Sequence, residues 1–170
     1  MNTIETIKSR RSIRKYKSDI PVADEHIYQM LEAAMMAPSA CNSRPWEFVV
    51  VKDKEVLAKI MKAVPFASML KTAPMAIVVC GMPEVSRKAC RRIEFWQQDC
   101  GAAVQNLLLC AKELGYGTCW CGTYPIPGCA EKMQAILGVD SIPMATVAVG
   151  VADEEPAARG FYEETKVKFL

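Results

Sequence analysis

The chain has 170 residues, of which 51% are hydrophobic, 24% charged and 8% aromatic, with 21 basic against 19 acidic side chains and a formal net charge of +2. That size and apolar content suit one domain with a full core and exclude a disordered or low-complexity protein. No uninterrupted apolar run approaches the roughly 18 residues of a membrane span, and the opening "MNTIETIKSR" lacks the apolar stretch of a signal peptide, so a soluble, cytoplasmic protein is expected.

A short helix over 4–9 leads into "KSRRSIRKYK" (8–17), where six of ten residues are cationic and none is acidic. The chain's basicity resides there. Setting aside the first seventeen residues, which hold those six cations and Glu5, leaves 15 basic against 18 acidic side chains. Asp24 is the expected N-cap of a helix to about Met36, with Ile27, Met30, Leu31, Ala34 and Met35 as its apolar stripe. Pro38 ends it, "PSACNSRPW" (38–46) reads as a loop, and 47–52 reads as a strand. Helices are expected over 54–61 and, more briefly, over 66–71, before the buried strand "PMAIVVCG" (74–81). The longest helix is predicted over 87–114, with Gly115 as its stop. No charge lies between Asp99 and Lys112, so this helix should be buried on more than one side. A strand over 117–122, a helix over 129–137 closed by Gly138 and a strand over 144–151 follow. The tail "EETKVKFL" alternates enough for an edge or exchanged strand. Without repeats or an interior linker, residues 1–170 make one α+β domain with helices packed on a sheet.

Eight cysteines invite a metal or disulfide reading, but Cys-x-x-Cys is missing and His26 is the only histidine, so no metal site is expected. Cys90, Cys100 and Cys110 recur every ten residues, which in a helix turns each about 80° from the last. Cys119 and Cys121 would share one face of a strand. Buried, reduced thiols are the expectation. His26, after Asp24 and Glu25 at a helix start, should be a surface side chain. Ser-His-Asp or Cys-His chemistry then lacks its base, and an enzyme here would rely on a cofactor.

Three stretches could carry chemistry. Arg10, Ser12 and Arg14 alternate, so an extended backbone points them the same way, and two guanidinium forks around a hydroxyl suit one phosphate. A solvated face, or a nucleic-acid or membrane patch, competes with that reading. Nucleic-acid binding would normally bring a wider basic surface. No phosphate-loop motif is present, and "GYG" at 115–117 follows a helix and precedes a strand, the wrong order for a dinucleotide turn. In "PSACNSRPW", Ser39 and Asn42 offer hydrogen-bonding groups beside Trp46, against the plain reading of a connecting loop. In "LGYGTCWCGTYP" (114–125), Gly117 and Gly122 would let a ligand approach the backbone, against the plain reading of a buried strand.

In this order and spacing, "RRSIRKY", "PSACNSRPW" and "DCGAAVQNLLLCAKELGYGTCW" resemble the nitroreductase family of flavin-dependent oxidoreductases, in its short members, over nearly the whole chain. The resemblance implies a nitroreductase-like fold: a central mixed, mainly antiparallel sheet flanked by helices, in an intertwined homodimer with C-terminal strand exchange. It implies FMN at the dimer interface, with Arg10 and Ser12 on the phosphate, Arg11 adjoining and Arg14 near the pyrimidine end. Pro38, Ser39, Ala40 and Asn42 would reach it from the other subunit. Trp120, Cys121, Gly122 and Thr123 would line the isoalloxazine, with the amide of Gly122 or Thr123 facing N5, and Arg159 would return to the phosphate. The implied activity is hydride transfer from NADH or NADPH, by a ping-pong mechanism, to a nitroaromatic, quinone or similar small-molecule acceptor, with no obligatory catalytic side chain. Arg44 stands where the family usually has Gln, and Gly160 where a second arginine often follows. A flavin-storage module without turnover is the alternative, and nucleic-acid binding is the reading from a different class. Neither a nucleic-acid nor a membrane partner is expected.

Overall fold

Four apolar runs of the sequence become one sheet in the computed structural model, which describes residues 2–170. β1 (Trp46–Val51), β2 (Met75–Gly81), β3 (Gly117–Gly122) and β4 (Ile142–Gly150) pair antiparallel in the order β1-β2-β4-β3. Six helices surround it: α1 (Thr3–Ser9), α2 (Asp24–Met35), α3 (Lys54–Ala63), α4 (Pro83–Ala89), α5 (Trp96–Glu113) and α6 (Cys129–Leu137). All seven residues of β2 are buried, as a strand with a neighbour on each edge and helices on each face requires. Its alternate side chains feed two cores. Met75, Ile77 and Val79 join α2 and α5, while Ala76, Val78 and Cys80 join α3 and α6.

The helix ends follow their local chemistry. Asn2 and Glu5 close a capping box on α1, and the Asp53 carboxylate accepts from the Glu55 and Val56 amides at the start of α3. Gly138 ends α6 at φ 67°, a left-handed stop that costs glycine little. The expected cap at Asp24 is not made: Ala23 precedes α2, and Asp24 opens its first turn, where its carboxylate pairs with Lys52. That position still complements the helix dipole.

The predicted 87–114 helix is two helices. Its first residues belong to α4, the chain then bends through 90–95, and α5 begins at Trp96. Two contacts at long range make the break. The Phe95 amide donates to Ser86 Oγ at 2.8 Å, and the Trp96 ring settles against Gly81 of β2. Cys90 is therefore off the helix that carries Cys100 and Cys110. α5 itself is buried on two sides as expected, between α2 and the sheet, and Asn106 Nδ2 donates to the Ala33 carbonyl at 3.0 Å. Residues 66–71 form only a short turn of 3₁₀ helix (Ser68–Lys71). β1 starts at Trp46 and β4 at Ile142, one and two residues before the sequence-based limits.

All eight cysteines are free thiols, and burial pushes Cys80 up to about 11 and Cys100 up to about 12. Cys41 alone is exposed, against the expectation of burial. His26 is half-buried rather than on the open surface, its Nδ1 2.9 Å from the Tyr116 hydroxyl. The tail pairs with no strand of its own chain; it holds a 3₁₀ turn (Glu164–Lys166) and leaves Phe161, Tyr162, Phe169 and Leu170 exposed.

A Cβ at Gly81 would stand 2.1 Å from Trp96 Cε3, inside any real contact distance. Gly81→Ala should therefore destabilise the protein by about 1–3 kcal/mol, as overpacked cores do. Urea denaturation measures it; an unchanged midpoint would contradict the close packing of strand and ring.

Candidate flavin site

The basic segment lies extended along the free edge of β3. Ser12 bridges Thr118 in parallel, and the Ile13 amide donates to the Thr118 carbonyl at 2.9 Å. Gly117 makes this approach possible, because a Cβ there would lie 2.7 Å from Ile13 Cγ1. Ile13 and Tyr16 are buried, and Arg14 between them is exposed. Residues 152–157 return alongside. The Asp153 amide donates to the Lys15 carbonyl at 2.9 Å, and the Glu154 carboxylate accepts from the Arg14 and Lys15 amides.

The arginines then separate by role. Arg11 donates to the carbonyls of Lys8, Arg10 and Ala157, so its guanidinium laces backbone together. Arg10 and Arg14 form no side-chain hydrogen bond or ion pair among the described residues. Arg159 is exposed, two residues beyond the carbonyl that Arg11 holds. A groove of about 670 Å³ brings Arg10 and Arg11 together with Lys8 and Lys112, but also with Glu5, Glu154 and Glu155. Ser12 and Arg14 lie outside its lining, nearer the strand.

β3 presents its two faces differently. Trp120 and Gly122 are exposed, while Cys119, Cys121 and Thr123 are buried. The Thr123 amide donates to the Met144 carbonyl at 2.9 Å, and its hydroxyl lies 3.3 Å from Thr146 Oγ1. Antiparallel pairs alternate between bonded and non-bonded, so the Gly122–Ala145 pair is non-bonded and the Gly122 amide points to the free edge. Of the two amides expected at N5, Gly122 is open and Thr123 is engaged within the sheet. The Arg14 charge also reaches this strand. Cys119 is held down to about 7, by its hydrogen bond from Cys121 first and by Arg14 and Arg10 after it, against opposing burial. Cys121 is pushed up by that same pairing and by burial.

The loop 38–46 is fixed by a residue that the motif reading passes over. Asp99, nearly buried at the start of α5, accepts from the Ala40 amide at 3.0 Å and lies 3.5 Å from the Ser43 hydroxyl. Ser39 Oγ accepts from the Arg44 amide and Asn42 Oδ1 from Arg44 Nε, both at 3.0 Å. The Ser39 O–H and the Asn42 NH₂ are left as donors. Cys41, Asn42 and Arg44 all take positive φ, between 49° and 52°. α5 ties this loop to the strand wall as well: two residues after Asp99, Gly101 faces the Trp120 ring, and Trp96 packs against Tyr124 with ring centroids 5.0 Å apart and planes tilted by 56°. Asp99 is the only acid between Trp96 and Lys112, which was the available signal for its role.

The sequence profile of the Nitroreductase family matches residues 7–67 and 62–151. The chain belongs to the nitroreductase family. It is 39% identical over 169 residues to a protein of Methanothermobacter thermautotrophicus named "Putative NADH dehydrogenase/NAD(P)H nitroreductase", covering 98% of this chain and 86% of that one. A crystal structure of the same name from Parabacteroides distasonis superposes with a TM-score of 0.90 at 37% identity, covering 99% of this chain and 98% of the other. The "FMN-dependent Nitroreductase" of Clostridium difficile gives a TM-score of 0.87 at 32% identity, with 98% of each chain covered. The nitroreductase fold expected from the three motifs is the fold present: α+β, with an antiparallel sheet joined by one parallel bridge from the basic segment. Among the described residues no group of three or more His, Cys, Asp or Glu could hold a metal, and no helix is long and apolar enough to cross a membrane.

Asp99→Ala removes the acceptor of a buried amide and should cost about 1–3 kcal/mol. It should also open the 38–44 loop to proteolysis, while Asp99→Asn, which keeps one acceptor oxygen, should do less. Limited digestion with mass mapping checks this; a loop as resistant as in the parent protein would contradict the anchor.

Proposed function

We propose that this nitroreductase-family protein is an FMN-dependent oxidoreductase that takes a hydride from NADH or NADPH and reduces a nitroaromatic, quinone or similar acceptor. One observation carries the reading. The free edge of β3 offers unpartnered cations at one end and an open amide beside an exposed indole at the other. Thr118, where the basic segment docks, and Gly122 are four residues apart, about 13 Å along a strand. An elongated ligand with a phosphate at one end and a planar ring at the other fits that pattern.

The residues present suit FMN. Arg10 and the Ser12 hydroxyl would hold the phosphate, with Arg159 closing over it, and Arg11 would act by fixing the backbone beneath them. The Gly122 amide would face N5, and Trp120, Cys121 and Thr123 would complete the strand wall. Arg14, placed toward the ring end, offsets negative charge gathered there on reduction. Bound FMN would supply the two-electron chemistry that no side chain here offers. Donor and acceptor would use one opening in turn, which predicts ping-pong kinetics with parallel double-reciprocal lines.

A second copy of the chain completes the site in this reading. Phe161, Tyr162 and Phe169 are 82%, 74% and 93% exposed on a tail that finds no place on its own sheet, and a partner would cover them. Pro38, Ser39, Ala40 and Asn42, on the rigid loop anchored by Asp99, would then reach across to the neighbouring flavin. Nucleic-acid binding fits the geometry poorly. Arg11 is taken by three carbonyls and Glu154 sits on two amides of the same segment, so it is no free basic strip.

Arg10→Ala should weaken FMN by about 1.5–3 kcal/mol, the value of a charge-assisted hydrogen bond, and riboflavin far less. Fluorescence titration of both ligands checks it; equal losses would remove Arg10 from the phosphate. Deleting 163–170 should lower dimer content and flavin occupancy together, because assembly and binding are linked by mass action. Light scattering coupled to size exclusion, with flavin absorbance read across the peak, tests this; a monomer with full flavin occupancy would contradict it.

A further inference from the structure

Five of the six non-glycine residues with positive φ lie in two loops: Cys41, Asn42 and Arg44 at 52°, 52° and 49°, and Arg91 and Arg92 at 51° and 71°. Side chains with a Cβ resist this conformation, and it persists where the surroundings hold it, most often at functional sites. Three of the five are arginines. The two loops meet at one end of the sheet. The Met82 amide donates to the Pro45 carbonyl at 2.9 Å, and α4 packs on the 3₁₀ turn Ala40–Asn42.

Arg91 and Arg92 follow Cys90 directly and are exposed. Neither forms an ion pair among the described residues. The acids that could neutralise them are engaged: Glu94 by Arg87 and by Trp96 Nε1, and Asp99 by the Ala40 amide and Ser43. Arg44 gives its Nε to Asn42 and keeps its terminal amino groups free. Trp96, just after this loop, packs its ring at a tilt against Tyr124, just beyond the end of β3. Two adjoining loops thus carry three exposed cations on constrained backbone, one of them where the family motif usually has an uncharged Gln.

We propose that Arg44, Arg91 and Arg92 bind an oxyanion carried by a substrate, either a carboxylate on the acceptor or the extra ribose phosphate of NADPH. This rests on the flavin-enzyme reading above. Guanidinium forks match both oxyanions, and cations without ion-pair partners on adjoining loops attract them before docking. Arg44 goes with the 38–44 loop to whichever flavin that loop covers, and α4, which packs on that loop, leads directly into the segment of Arg91 and Arg92. Their held backbone keeps them in place without reordering when the anion arrives.

The test compares kcat/KM of the FMN-loaded enzyme for two matched pairs: para-nitrobenzoate against para-nitrobenzyl alcohol, and NADPH against NADH with the neutral alcohol as acceptor. The parent protein, Arg44→Gln and the double variant Arg91→Gln/Arg92→Gln are measured. The ratio of the member with the extra oxyanion to the member without it should fall about tenfold in one pair, as loss of a charge-assisted contact implies, and the pair that responds names the anion's source. The same ratio in the parent protein should fall as salt rises from about 0.02 to about 0.5 M, a readout that needs no variant. Ratios unmoved by substitution and by salt in both pairs would overturn the inference. A parent protein that turns over no acceptor with either nucleotide would instead overturn the flavin-enzyme reading and the inference with it.

Discussion

The approach of residues 10–16 to the edge of β3 is the contact on which the site depends. It needs an absent side chain at Gly117, where a Cβ would fall 2.7 Å from Ile13, and another at Gly150, where a Cβ would fall 3.0 Å from Tyr16. With those gaps filled by Ile13 and Tyr16, alternation turns Arg14 outward, while Ser12 bridges β3 at Thr118. The C-terminal segment then docks on the same strip through Ala152, Asp153 and Glu154, and Arg11 holds the Ala157 carbonyl, two residues before Arg159. Concentrated positive charge would oppose itself in a bare strip. Here Glu154 and the carbonyls bound by Arg11 offset part of it, leaving Arg10 and Arg14 free for a ligand.

α5 supplies the second constraint. Uncharged between Asp99 and Lys112, it can sit between α2 and the sheet without stranding a charge, with Asn106 in its middle donating to the Ala33 carbonyl of α2. Asp99 near its N-terminal end fixes the 38–46 loop, and the Trp120 ring lies within contact range of Gly101. The loop and the strand wall are therefore positioned by the same helical turn. A shift of that turn would move both, which is why an acid that never needs to touch a ligand matters to the site.

Strand positions, the two-sided burial of α5 and the family motifs were legible in the sequence because each is a local pattern: apolar runs, an uncharged stretch, a fixed spacing. The break at 90–95 was not. It is made by Ser86 meeting Phe95 and by Trp96 meeting Gly81, and no glycine or asparagine marks the left-handed backbone at Arg91 and Arg92. Arg10 and Arg11 look equivalent in sequence, and only the carbonyl of Ala157, far along the chain, assigns Arg11 to the backbone. Likewise the choice between the Gly122 and Thr123 amides depends on which pair of the β3–β4 ladder is bonded, a property of register rather than of composition. The tail's alternating pattern suggested a strand, yet it forms a 3₁₀ turn and pairs with no strand of its own chain.

The most direct measurement is the visible absorbance of the purified protein, titrated with FMN and then mixed anaerobically with NADH or NADPH. Saturable binding of one FMN per chain, followed by bleaching of the flavin bands at a rate that supports turnover and their return on adding a quinone, is the expected result. Saturable FMN binding with no bleaching by either nucleotide would leave a flavin carrier in place of an oxidoreductase. No FMN binding at all would contradict the reading of the β3 edge itself.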